Sequence, residues 1–215
     1  MKYNGRIIVV VVTLVITLAI RQYGVIYYNY PTYQFPFISL GIMLVFWWLG
    51  KQYDMVKFLS EIDPLTKIYN RRHIFQKFKK LSVLLDRKNE KLILFFIDIN
   101  HFKMINDHYG HETGDEVLKC LSNLLVRTTS KTDIVARLAG DEFIIMTPFI
   151  EEKGRDRIMN EINKELIKLS EELNMNISVS IGTSEYPNDA KTLDGLLHIA
   201  DQNMYKQKSL KEINY

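Results

Sequence analysis

At 215 residues the chain has room for one full domain and an appendage, not for two ordinary domains. A net charge of +3, with Lys and Arg mixed among Asp and Glu, leaves no concentrated basic stripe of the kind a nucleic-acid binder carries. The single cysteine, Cys120, excludes an intrachain disulfide and a paired-cysteine metal site, and fits a reducing compartment.

The first fifty residues differ from the rest. Ile7 to Ile20 is an uncharged, mostly β-branched and Leu run bounded by Arg6 and Arg21. As a helix it spans roughly 21 Å, short of a ~30 Å hydrocarbon core, but Arg6 and Arg21 can snorkel and Tyr23, Tyr27 and Tyr28 suit an interface. A second uncharged stretch runs from Gln22 to Gly50, densest from Phe37 to Leu49, with Trp47 and Trp48 near its end. Pro31 and Pro36 mark a turn between the two. A signal peptide would use Lys2 and Arg6 in the same way, but no small-x-small cleavage site follows Ala19 and a second apolar run comes at once. The pattern predicts a two-helix transmembrane hairpin with spans at about 7–22 and 35–50. Lys2, Arg6, Lys51 and Lys57 flank its outer ends and Arg21 alone lies in the loop, so the positive-inside bias puts both termini in the cytosol of a multi-pass inner-membrane protein. A loop of about fifteen residues is too short for a folded extracellular sensor, which leaves lipid state, a membrane-protein partner or no stimulus at all as the input. Residues 51–62 carry Met55, Leu59 and Ile62 on one helical face, as a linker helix that either continues the second span or forms a parallel stalk between two copies.

From Asp63 to Tyr215 the pattern is that of a cytosolic α/β domain of the α+β type. Asn70–Lys88 reads as a helix with Ile74, Phe78, Leu81 and Leu85 on one face. Leu92–Ile99 is an apolar run typical of a central strand. A helix over Asp115–Arg127 turns Val117, Leu118, Leu121, Leu124 and Leu125 inward; two strands, Ile134–Leu138 and Phe143–Thr147, flank a tight turn. A helix over Glu151–Leu173, a strand over Ile177–Gly182 and a helix over Leu193–Gln207 follow. The β-α-β-β-α-β order is that of ferredoxin-like and polymerase-palm domains, with an antiparallel sheet and helices on one side.

Two sets of carboxylates stand out. Asp98 ends an apolar strand, where an unpaired charge is costly unless it meets a cation or leaves the core at the sheet edge. Asp141 and Glu142 lie at the turn between the two later strands. In this topology the segments can converge, and converging carboxylates make a hard-cation site suited to Mg²⁺ and phosphate; turn acids at strand ends are the plainer alternative.

These residues carry a resemblance. The stretch from Asp63 through Thr66 to Asn70-Arg71-Arg72 resembles the DxLTxxxNRR opening of GGDEF domains, and Asp98 through Phe102-Lys103 to Asn106-Asp107 resembles their DxDxFKxxND block. Tyr109-Gly110-His111 with Gly114-Asp115, then Arg137 through Gly140-Asp141-Glu142-Phe143, are similar to YGHxxGD and the name-giving RxGGDEF turn. Ser178 to Gly182, and Ala200-Asp201 through Tyr205 to Lys208, match SxSIG and ADxxxYxxK. Ordered motifs over residues 61 to about 210 identify the chain as a member of the GGDEF diguanylate cyclase family.

The resemblance implies a cyclase that condenses two GTP molecules to cyclic di-GMP with release of two pyrophosphates, active as a homodimer with Mg²⁺ or Mn²⁺. It implies Asp98 and Asp141 as metal ligands with the Ile99 carbonyl, and Glu142 as a further ligand or the group that deprotonates the 3′-hydroxyl. Phe102 and Lys103 would meet the phosphates, Asn106 and Asp115 the guanine edge, and Lys208 the distal phosphates; His111 belongs to the same GTP-binding set. Asp141, Glu142 and Lys103 would be the catalytic side chains. Asp115 favours guanine, which offers an N1–H and N2–H donor pair that adenine lacks, and so speaks against an adenylate-type cyclase or polymerase.

Four positions depart from the family pattern. Ala139 stands for the first turn glycine and Asn100 for the second strand Asp. The RxxD inhibition motif falls at Ser130 to Asp133, and Ser130 cannot clamp guanine and phosphate as Arg does, so no product inhibition is expected there. The expected Gly-Arg after Lys208 reads Lys211-Glu212, weakening triphosphate binding unless Lys206 or Lys211 substitutes. Ala139 and Glu212 motivate the alternative of a catalytically silent domain that binds GTP or a protein partner and relays a membrane signal. His73, His101, His108 and His198 share no ligand spacing, Cys120 reads as a core filler, and the basic face of Arg71, Arg72, Lys77, Lys79 and Lys80 as solvated or, less simply, as a contact for anionic lipids.

Overall fold

The computed structural model describes residues 4–29, 37–59, 61–148 and 154–212, and the chain divides into two compact units, Met1–Ser60 and Glu61–Tyr215. In the first unit, α1 (Asn4–Tyr28) and α2 (Phe37–Leu59) pack against each other. Thr13 and Thr17 donate their hydroxyls to the carbonyls of Val9 and Thr13, both at 2.8 Å, so these polar groups are satisfied inside the helix. The sequence predicts two spans; among the described residues one stretch, Val9–Tyr28 with mean hydropathy 2.1, is long and apolar enough to cross a membrane. The physical reason is that the apolar part of α2 ends at Gly50 and the same helix then carries Lys51, Gln52 and Asp54. Helix α1 also continues past Arg21 to Tyr28, beyond the expected boundary; Pro31 and Pro36 lie outside the described residues. Of the two readings of 51–62, α2 follows the continuation, running on without a break to Leu59, and Ile62 makes a β-bridge with Tyr69 in the second unit.

The second unit is built from β1 (Tyr69–Asn70), α3 (Arg71–Lys88), β2 (Leu92–Ile99), α4 (Phe102–Tyr109), α5 (His111–Thr128), β3 (Ile134–Ala139), β4 (Glu142–Pro148), α6 (Gly154–Glu172), β5 (Val179–Tyr186) and α7 (Leu193–Glu212). The caps of α3 show how local chemistry sets boundaries. The Asn70 side chain accepts from the His73 N–H at 3.1 Å, and Asn89 closes the other end in the left-handed conformation at φ 52°.

The sheet order is β1-β3-β4-β2-β5, antiparallel throughout except for the short parallel pairing of β1 with β3 at one edge. Strand β2 lies between β4 and β5 and is covered on both faces, which is why its sequence is an unbroken apolar run rather than an alternating one. Ile93, Phe95, Ile97 and Ile99 face α5 and α6, in one core with Leu121, Leu125 and Ile162. Leu92, Leu94 and Phe96 face α3 and α7, in a second core with Ile74, Phe78, Leu196 and Ala200. The expectation of helices on one side is corrected here: a mixed sheet is flanked on both sides, because α3 and α7 bring apolar faces of their own.

Candidate active site

Strand register brings the carboxylates together. Even-numbered residues of β2 face α3 and α7, so Asp98 follows Phe96 onto that face at the strand end. Its partner in β4 is Glu142, and its partner in β5 is Ser180. Directly opposed side chains stand about 5 Å apart at Cβ, close enough for two carboxylates to share a cation. Asp141 adjoins Glu142 in the turn. Burial pushes the Asp141 carboxyl above its ordinary value, and the charge of Asp98 pushes it further. Burial likewise raises Glu142, followed by the charges of Asp98, Asp141 and Asp201. These acids are therefore held near one another against their mutual repulsion.

The turn itself explains one departure from the family pattern. Gly140 has φ +45°, and a β-bulge falls between Arg137 and Ala139, whereas Ala139 is not among the positive-φ residues. Only the glycine that is retained occupies the left-handed region, so alanine at the first position incurs no backbone strain. Arg137 Nε donates to the Gly140 carbonyl at 2.8 Å and its Nη1 to Asp63 Oδ1 at 3.2 Å, tying the turn to the start of the domain.

Asn100 is accounted for by a different job. Its Nδ2 donates to Ser178 Oγ at 2.9 Å and its Oδ1 accepts from Ser180 Oγ at 2.7 Å, clipping the end of β2 to β5. A carboxylate there could keep the first of these bonds only by accepting from the Ser178 hydroxyl. Ile99 buries its side chain in the α5–α6 core, which leaves its backbone carbonyl as the only group it can offer a metal.

Helices α4 and α5 position the nucleotide candidates. His101, at φ 57°, precedes α4 without a side-chain cap, and the first-turn N–H groups of a helix have no partners within it. Phe102 is half-buried against the core and Lys103 is exposed. Asn106 on α4 lies over Gly114 on α5: a Cβ at 114 would fall 1.9 Å from Asn106 Oδ1. That close approach sets Asn106 beside the helix segment that carries the exposed Asp115. His111 is exposed at the start of α5.

Lys208 is half-buried and paired inside the domain. Its ammonium is paired with Asp98 Oδ1. The cause is the docking of α7 on β5. A Cβ at Gly182 would fall 1.9 Å from the Ala200 carbonyl oxygen and 2.5 Å from the Met204 nitrogen, so only glycine lets the helix lie this close. Ala200, Met204 and Lys208 recur every four residues along one helix face. While Gly182 meets the first two, Ser180, the partner of Asp98, lies two residues further along the strand toward Lys208. The side chains of Lys211 and Glu212 lie outside those described. At the inhibition-motif position, Asp133 Oδ2 accepts the Ser130 N–H at 2.7 Å, so that carboxylate turns back on its own loop.

Sequence reasoning missed α4 and β1. The first has one buried residue, Ile105, and so shows no apolar period; the second is two residues long. It also missed Arg71 and Asp201, whose charges reach Glu142, because their proximity arises only from packing of α3 and α7 on the same face.

The family model described as "Diguanylate cyclase, GGDEF domain" matches residues 60–213. The chain is 37% identical over 165 residues to YhcK of Bacillus subtilis, covering 74% of this chain and 45% of that protein. It is 34% identical over 151 residues to diguanylate cyclase DosC of Escherichia coli, covering 68% of this chain and 33% of that one. It thus spans less than half the length of these relatives. Among solved structures, the GGDEF domain of PA1120 (TpbB or YfiN) from Pseudomonas aeruginosa matches with TM-score 0.64 at 33% identity, covering 69% of this chain and 89% of that one. With residues 60–213 matched by that family model, this chain belongs to the GGDEF diguanylate cyclase domain family.

Proposed function

We propose that the protein is a diguanylate cyclase: it joins two GTP molecules into cyclic di-GMP and releases two pyrophosphates, with one GTP on each of two facing copies. The observation that carries this reading is the register pairing of Asp98 with Glu142 beside Asp141, which gathers acids from two distant segments at one sheet edge. The donor set suits a divalent cation by its oxygen type, although among the described residues no three acids are gathered tightly enough to form a metal cluster. It offers hard oxygens, and their raised proton affinities report negative charge held close together. Asp98, Asp141 and the Ile99 carbonyl would hold Mg²⁺ or Mn²⁺, with Glu142 as a further ligand. Such a cation, when bound, supplies charge neutralisation at the phosphates and a Lewis acid for the displacement.

The remaining work falls to the chain's own residues. Asp115 and Asn106 grip the guanine edge, with His111 nearby on α5. Phe102 and Lys103, at the start of α4, hold the phosphates through backbone N–H groups and an ammonium. Glu142, with its raised proton affinity, is suited to take the proton of the 3′-hydroxyl that attacks the partner's α-phosphate. Catalysis is then largely alignment and electrostatics. Ser130 in place of Arg leaves the product without its inhibitory clamp.

The first unit would anchor the domain in the inner membrane, with the domain in the cytoplasm. Large apolar side chains stand exposed on both of its helices, including Val15 and Leu18 on α1 and Leu44 and Trp48 on α2, which suits contact of both helices with lipid. Anchoring raises the effective concentration of a second copy. The silent-relay alternative loses one of its motives, because Ala139 is unstrained.

The test is incubation of the full chain, in detergent micelles or nanodiscs, with labelled GTP and Mg²⁺ or Mn²⁺. Cyclic di-GMP is expected from the wild type and none from Asp141→Ala. GTP binding by calorimetry without product, at high protein concentration, would select the relay.

A further inference from the structure

Lys208 and Asp98 lie 110 positions apart and meet in a half-buried ion pair, with side-chain exposures of 29% and 19%. The backbone packing of α7 on β5 brings Lys208 within reach of this contact. Gly182 admits α7 to within touching distance of β5, and a helix step of four residues, ~6 Å, matches a strand step of two, ~6.7 Å. The ridge Ala200–Met204–Lys208 therefore delivers the ammonium over the strand position of Ser180 and Asp98. Asn203 holds the same alignment, donating from Nδ2 to the Thr183 carbonyl at 2.9 Å.

We infer that Lys208 is an internal counter-ion that occupies the divalent-cation position in the nucleotide-free protein and releases Asp98 only when a triphosphate arrives to accept its charge. The inference rests on the reading of Asp98 as a metal ligand. A cation arriving alone must displace the ammonium and strand it, half-buried, without an anion. Nucleotide removes that penalty, because phosphate oxygens are equally good partners for an ammonium. Cation and nucleotide thus bind together, each raising the affinity of the other.

The test is titration of the full chain in detergent with Mn²⁺, following free Mn²⁺ by electron paramagnetic resonance, first without nucleotide. Wild type should bind weakly and Lys208→Gln roughly tenfold or more tightly, because a unit positive charge has left the site. Lys208→Arg, which keeps the charge, should behave as wild type and so separates charge from packing. With an α,β-methylene GTP analogue, wild-type Mn²⁺ affinity should rise by roughly tenfold or more, and that of Lys208→Gln by less. Equal affinities of wild type and Lys208→Gln without nucleotide overturn the inference and leave Asp98 as a ligand. Mn²⁺ binding with the analogue that is unchanged by Asp98→Asn overturns the ligand assignment and the inference with it.

Discussion

The guanidinium of Arg137 donates to the carboxylate of Asp63 at 3.2 Å across 74 positions of sequence, with both side chains largely buried at 14% and 17% exposure. The same Asp63 oxygen accepts the Thr66 N–H at 2.8 Å and the Thr66 hydroxyl at 2.7 Å. Because Arg137 also holds the Gly140 carbonyl, the first residues of the domain and the turn that carries Asp141 and Glu142 form one hydrogen-bonded unit.

That unit makes stability depend on acid. Burial alone would raise the Asp63 carboxyl, but the Thr66 bonds and Arg137 outweigh it and hold it below its ordinary value. A depressed carboxyl contributes stability above its unfolded value and loses it as pH falls through the folded one. Asp63→Asn should therefore cost about 2 kcal/mol at neutral pH, with the gap closing as pH falls below about 4. Urea midpoints of both proteins between pH 3 and 7 measure this; a gap that stays constant with pH counts against it.

The opposite sign applies at the turn. Asp141 and Glu142 are raised in the folded state, so their ionisation disfavours folding; the associated stability is present at low pH and lost as pH rises through the folded values. Asp141→Asn or Glu142→Gln should raise the melting temperature at pH 7 by about 2 °C while abolishing turnover, and the gain should disappear below about pH 4. Thermal scans at the two pH values decide it, and variants less stable than wild type at pH 7 would contradict the crowding of charge.

Gly182→Ala tests the docking of α7. Its Cβ would meet backbone atoms of Ala200 and Met204, which cannot swing aside as a side chain can. We expect a loss of about 3 kcal/mol and displacement of Lys208 from Asp98. Denaturant unfolding gives the first, and a fall in GTP affinity of the folded variant the second; a substitution without effect on either would mean α7 lies further from the sheet.

Gly114 and Asp115 test the guanine slot. Asp115→Ala should lower kcat/KM for GTP by about tenfold to a hundredfold, the loss of charge-assisted bonds to the base edge. Gly114→Ala should raise KM as well, by driving Asn106 off its present position. Steady-state kinetics with both variants check this, and an unchanged KM in both would place the base elsewhere.

Local chemistry alone was enough for much of this protein. The buried run of β2, the apolar faces of α3, α5 and α7 and the β-α-β-β-α-β order are written in side-chain periodicity, because each element must bury one face or both. The candidate site was legible as residue types in ordered motifs: Asp98, Asp141 and Glu142 stand where charge is otherwise unfavourable or unexplained, and Asp115 was marked only by the resemblance to the family's motifs. Tertiary structure decided what depends on neighbours remote in sequence. Register made Asp98 the partner of Glu142, a clip to β5 gave Asn100 its amide role, and the absence of a Cβ at Gly182 carried Lys208 onto Asp98 rather than leaving it in solvent. Periodicity specifies which face a residue takes; only the packing of one element on another specifies what it meets there.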